Sequence, residues 1–160
     1  MAFSAILEID GIQGESVVDS HEGKIDLTSY NLGVEQTGTG HTGTGFGAGK
    51  AQASPLVFSK NMCKASPNLF GACSKGKHID KMVLSVLKAG GDKPLVSTTI
   101  TLEECFITDF HNQSTDKEVH EVFSVTYNKI TYSYQPQDSK TGAANGGAIE
   151  TTHLNNLAAG

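Results

Sequence analysis

The side chains best equipped for chemistry in this chain are six histidines, three cysteines and one adjacent pair of glutamates. His21, His41, His78, His111, His120 and His153 show no HxxxH or HxH spacing, the intervals that place two imidazoles on one face to hold a metal. His111 and His120 fall near one strand pair, but no cysteine or carboxylate completes a ligand set there. Cys63, Cys73 and Cys105 are odd in number and irregularly spaced, so they read as buried free thiols rather than a disulfide framework. Cys105 sits mid-strand, Cys73 on the apolar side of a helix, and no GxSxG marks a nucleophile. Glu103 and Glu104 point to opposite faces of a strand, which is unsuited to paired acid–base work. Gly38-Thr39-Gly40-His41-Thr42-Gly43 matches a dinucleotide fingerprint in form, yet no helix follows it and no βαβ unit surrounds it. Gly49-Lys50 is no phosphate loop: Thr44 stands where its glycine belongs and Ala51 replaces the hydroxyl residue. The expectation is a protein without catalysis, metal or cofactor.

With chemistry set aside, the Gly33–Gly49 segment is the most informative feature. It holds seven glycines in seventeen residues. Glycine lifts backbone restraint, so ordering such a segment is entropically expensive. It is either a loose surface hairpin or an arm that another protein surface orders, and the second reading is preferred.

Composition narrows the partners. The chain has 160 residues, enough for one domain with a real core, and residues 1–160 are read as a single domain. Its net charge is -5, its twelve cations are all lysine, and it has no tryptophan. Without arginine forks, nucleic acid is not expected as a partner. No apolar run reaches the length of a membrane span. The start, MAFSAILEIDGIQGES, alternates and carries Glu8 and Asp10, so it does not read as a secretory signal. Synthesis in the cytoplasm is expected, with any export by another route.

Period-2 alternation dominates the rest. Phe3, Ala5, Leu7 and Ile9 share one face of a first strand, ended by Asp10-Gly11. Ile25 and Leu27 take one parity, while Tyr30, Leu32 and Val34 take the other, which predicts a bend near Thr28. If Tyr30 and Leu32 face the core, Ser29 and Asn31 face away. Residues 51–59 read as a strand with Leu56 and Phe58 inward, and Pro55 favours a sheet edge or strand start. Residues 81–88 form an apolar strand covered on both faces, and residues 96–109 another, with Ile100, Leu102 and Phe106 in step. Residues 119–134 give the longest strand, with a parity switch near Asn128; residues 148–156 give a last short one. Ser66 as N-cap, Pro67 in the first turn and Gly76 at the stop frame one helix. Seven or eight strands beside one short helix imply a mainly β fold. The expected form is a small β-barrel of two sheets, with the helix on its flank and the glycine-rich hairpin extending from it.

Several segments in series resemble the haemolysin-coregulated protein (Hcp) family, the tube subunit of bacterial type VI secretion. They are Gly14-Glu15-Ser16, Gly47-Ala48-Gly49-Lys50, Ser66-Pro67-Asn68-Leu69, and Ala72 to His78 (ACSKGKH). Further on come Lys88-Ala89-Gly90-Gly91, Ile100-Thr101-Leu102 and Tyr134-Gln135-Pro136-Gln137. The resemblance implies six subunits in a ring with a wide channel, and rings stacked into a tube inside a contractile sheath. Export would then follow contraction, without a signal peptide. It also implies effectors bound to the channel wall, a spike protein as a further partner, and kinship with phage tail tubes. No toxin domain is read after Gly160, so the effector would be a separate molecule. Ser29 and Asn31 are the channel-facing candidates. Gly38, Gly40, His41, Gly43, Gly45, Phe46 and Gly47 are the ring-stacking candidates. The other reading from a different class is a monomeric β-barrel that binds a small ligand. It asks for a closed apolar pocket and an aromatic platform, which a chain without tryptophan supplies poorly.

Overall fold

Alternation builds a sheet that almost meets itself. The computed structural model describes residues 4–38, 48–88, 94–138, 143–144 and 146–154. Its strands are β1 (Ser4–Ile9), β2 (Ile25–Leu27), β3 (Ser29–Asn31), β4 (Val34–Gly38), β5 (Ala48–Ala53) and β6 (Leu56–Asn61). After the helix α1 (Ser66–Lys75) come β7 (Ile79–Lys88), β8 (Leu95–Ser114), β9 (Val119–Tyr134) and β10 (Ile149–Leu154). Seven strands run in the order β2-β1-β7-β8-β9-β6-β3, and β10 also pairs with β9. β4 and β5 pair with each other as a separate two-stranded ribbon.

The expected bend at Thr28 turns out to be the barrel's seam. Ile25, Asp26 and Leu27 pair with β1, at one end of the strand order. Ser29, Tyr30 and Asn31 pair with β6, at the other end. Thr28 joins them and donates its N–H to the Ser59 carbonyl at 2.8 Å. One turn of chain thus brings the two ends of the sheet together, and the side-chain parity flips there because the strand changes partner.

A second flip lies at Glu104 and Asn128. In β9 the buried positions are Glu121, Phe123, Val125 and Tyr127, then Ile130. In β8 they are Ser97, Thr98, Ile100 and Leu102, then Cys105 and Ile107. Glu104 takes φ 51° between the two series, and Asn128 Nδ2 donates to its carboxylate at 2.8 Å. This corrects the reading of Phe106 as inward: the left-handed residue two positions earlier turns it out, to 44% exposure. A further register shift falls between Ile107 and Asp109. Residues 51–59 are likewise not one strand, because Ser54-Pro55 separates β5 from β6. Pro55 lacks the N–H a continuing ladder needs.

The core fills the barrel with Leu7, Ile25, Leu56, Phe58, Leu69, Met82, Leu84, Ile100, Leu102 and Phe123, all essentially inaccessible. Phe58 and Phe123 stack at 5.2 Å between centroids. α1 lies against β8, burying Leu69 and Ala72, with Phe70 edge-on to Phe110 at the margin. Gly76 ends the helix in the left-handed region, φ 60°, and its neighbour's N–H returns to Ala72 O. Ser66 is not the N-cap. Ala65 holds that position without a side-chain hydrogen bond, and the Ser66 hydroxyl is engaged elsewhere.

Gly14-Glu15-Ser16 has a mechanical explanation. A Cβ on Gly14 would sit 2.4 Å from the Lys24 carbonyl oxygen and 2.8 Å from Ile25 Cγ1. The buried Ser16 exchanges backbone hydrogen bonds with Lys24 and Gly23, and Glu15 accepts the Lys64 N–H at 3.1 Å. The triplet pins the loop after β1 to β2 and to the approach to α1. Gly14→Ala is expected to lower unfolding free energy by about 1–3 kcal/mol, read from the denaturant midpoint, since backbone rather than a mobile side chain must move.

Candidate functional site

Among the described residues the histidines, the cysteines and the Glu103–Glu104 pair do not gather into one site. Among the described residues no three His, Cys, Asp or Glu side chains are placed to hold a metal. His111 pairs with Asp109 at 2.6 Å and His120 lies 3.7 Å from Glu118, all on exposed ground. Glu103 meets Lys129 at 3.3 Å while Glu104 meets Asn128. The three cysteines are free thiols, Cys105 buried and Cys63 and Cys73 half-exposed.

Cys105 donates to the Ile79 carbonyl at 3.3 Å, and burial, with a lesser push from Asp80, raises its pKa to about 12. The sign follows directly. The folded state keeps a proton that the unfolded chain releases near pH 9, so this contribution is whole below pH 9 and vanishes as pH rises towards 12. Thermal melting against pH should therefore fall across this alkaline range, and fall less steeply in Cys105→Ala.

The outward face of β3 is the first place to look for a binding surface. Ser29 and Asn31 are exposed, while Tyr30 and Leu32 pack against the core, as parity required. Register adds members that the sequence did not offer: Ser59 lies opposite Ser29 and Val57 opposite Asn31. Beyond them Val122 faces Ser59 and Ser124 faces Val57 across β6–β9. Thr28 to Leu32 and Tyr132 frame an open depression of about 620 Å³. Burial, with Tyr132 nearby, pushes the Tyr30 hydroxyl upward, so it stays neutral. The surface is short-chained and mostly uncharged.

The ribbon is the second feature. Val34 pairs with Ala53, Glu35 with Gln52 and Gln36 with Ala51, and the register shifts before Gly38 meets Ala48. Val34 is 65% exposed. Gly38 ends β4; Gly40, His41, Gly43, Gly45, Phe46 and Gly47 lie outside the described residues.

A third feature escaped the sequence reading. Lys60 and Glu121 are wholly buried and pair across β6 and β9. Lys60 Nζ also donates to Ser66 Oγ at 3.0 Å and to the Asn61 carbonyl at 3.1 Å. Ser66 Oγ donates to Glu121 and accepts the Cys63 N–H at 3.0 Å, which is why it does not cap the helix. Their inward parity beside Phe58 and Phe123 was the available signal: two opposite charges at core positions of different strands ask for each other.

The described residues form a nearly closed, mainly β barrel with one flanking helix and a separate two-stranded ribbon. The family described as type VI secretion system effector, Hcp, matches residues 6–134. The chain is 35% identical to protein hcp1 of Pseudomonas aeruginosa over 152 residues, 94% of this chain and 93% of that one. Its structure resembles the crystal structure of Hcp1 from Salmonella typhimurium with TM-score 0.79 at 29% identity, covering 96% and 95% of the two chains. A type VI secretion system effector from Yersinia pestis gives TM-score 0.76 at 28% identity over 94% and 98%. The chain belongs to the Hcp family of type VI secretion proteins. Among the described residues no helix is long and apolar enough to cross a membrane.

Proposed function

We propose that this protein is the tube subunit of a type VI secretion system. Six copies close a ring, the rings stack into a tube within the sheath, and the tube leaves the cell behind a spike protein. Family membership supports this reading. The observation that carries it is the β4–β5 ribbon, which joins no other strand among the described residues and leaves Val34 exposed. A two-stranded ribbon is marginal in water unless another surface covers it, and a stacked copy supplies that surface. Head-to-tail contacts related by a fixed rotation close a ring. Sedimentation and negative-stain imaging of the purified chain are expected to give one particle of about six copies with a central hole, the cyclic closure that fixed-angle contacts produce. A monomer that persists at high concentration overturns the proposal.

Effector carriage is assigned to the face containing Ser29 and Asn31. Short polar groups hold varied cargo loosely, through hydrogen bonds that water replaces at little net cost. Asn31→Arg is expected to leave ring assembly intact and to change the retention of co-expressed effectors severalfold, read by co-purification and secretion. Unchanged export of every effector would remove β3 from the channel wall.

A further inference from the structure

We propose that Lys60 and Cys63 form an oxidative modification site, in which peroxide joins the two side chains through a single oxygen. Lys60 Nζ lies 3.3 Å from Cys63 Sγ, with no group between them. Cys63 is half-exposed and lines a depression of about 430 Å³ beside Met62 and Phe70, which gives a small oxidant a way in. Lys60 itself is sealed, held from behind by Ser66, the Asn61 carbonyl and Glu121. The second observation is Glu121. Its Oε2 is buried without any hydrogen-bond partner, and the residue lines the same depression. A carboxylate with a vacant oxygen beside an ammonium is an acceptor placed to take its proton, which the chemistry below requires.

The steps balance. One hydrogen peroxide oxidises the Cys63 thiol to a sulfenic acid: an S–O bond forms, the O–O bond breaks, and water leaves. A second peroxide displaces the sulfenic hydroxyl, so that a Cys63 S–O–OH group forms and another water leaves; both oxidants thus act at the exposed side of the site. The Lys60 ammonium passes a proton to Glu121, and the free amine attacks the sulfur-bound oxygen: an N–O bond forms, the O–OH bond breaks, and the hydroxide takes the amine's proton and departs as a third water. Nitrogen and sulfur together surrender four electrons to two peroxides. The product is a neutral Lys–O–Cys link beside a protonated carboxyl, so a buried ion pair gives way to groups that are cheaper to keep out of water. Cys105 lacks both requirements, being wholly buried and with its thiol pushed up to about 12.

The test exposes the purified full chain to hydrogen peroxide, quenches it with catalase, and maps non-reduced tryptic peptides by mass. The expected product carries about +14 Da, one oxygen gained and two hydrogens lost, on the fragment spanning residues 60–63. Cleavage after Lys60 is lost, and dithiothreitol restores both mass and cleavage. Cys63→Ser should show neither change, and Cys73→Ser should show both. Cys63 found as sulfinic or sulfonic acid with Lys60 cleavable would overturn the proposal. So would a fragment lighter by about 2 Da, the mark of a direct N–S bond, or an unchanged +14 Da product in Cys63→Ser.

Discussion

Glu121→Leu alone is expected to remove about 3–5 kcal/mol of stability, because it strands the Lys60 ammonium in a core where no other described carboxylate is buried. Lys60 is 0% exposed and its remaining contacts are neutral: Ser66 Oγ, the Asn61 carbonyl and Cys63 Sγ. Lys60→Met alone should cost a similar amount by stranding Glu121, whose Oε2 already lacks a partner. The double variant Lys60→Met/Glu121→Leu removes both charges and replaces them with apolar groups of similar volume beside the Phe58–Phe123 pair. It should recover most of the loss or all of it. For a domain of this size the single variants correspond to a fall in Tm of roughly 6–20 °C. Calorimetry of the three variants decides the matter. Equal destabilisation in singles and double would mean that shape, not charge, is what the site requires. The pair also ties β6, β9 and the first turn of α1 into one unit, through Ser66. Loss of either charge should therefore loosen the helix as well as the sheet.

Much of the barrel was legible because half-buried strands write their orientation into alternate residues. The switch at Thr28 and the switch at Asn128 were both visible as parity changes between Leu27 and Tyr30, and between Tyr127 and Ile130. So were the helix stop at Gly76 and the outward aim of Ser29 and Asn31. What alternation cannot encode is which strand lies next door. Phe106 was misread because the flip in β8 depends on Glu104 adopting a left-handed backbone opposite Asn128, a pairing across 24 residues. Ser66 was misread for a similar reason: a local rule made it an N-cap, but its hydroxyl serves a charge pair whose members are 61 residues apart. The same distance hid the pairing of Lys60 and Glu121: each stands at a core-parity position in its own segment, but the partner that neutralises it lies 61 residues away. Ser59, Val57 and Ser124 joined the β3 face only through register.

Replacing residues 39–47 by Asn-Gly is expected to abolish tubes while six-copy rings persist, with the barrel's cooperative unfolding unchanged. The graft is local: Gly38 already pairs with Ala48, and Asn-Gly supplies the left-handed residues a two-residue hairpin needs. Fixing the nine removed residues on a neighbouring copy would cost roughly 9–18 kcal/mol of backbone entropy. Offsetting that by apolar burial alone takes roughly 400–700 Å², an area within reach of one side of an ordinary protein interface. Composition makes the demand on the neighbour heavier still, because glycine gives up the most freedom and brings no side chain to bury. Backbone hydrogen bonds to the next ring must then share the load, which favours an arm laid along a strand edge over one resting on a flat surface. The β4 and β5 stems point to the same mode, since among the described residues they join no other strand. Electron microscopy under conditions where the parent chain stacks reads the result. Tubes of normal length in the shortened protein would assign stacking to another surface. Loss of the ring together with the tube would show that the arm closes the hexamer instead.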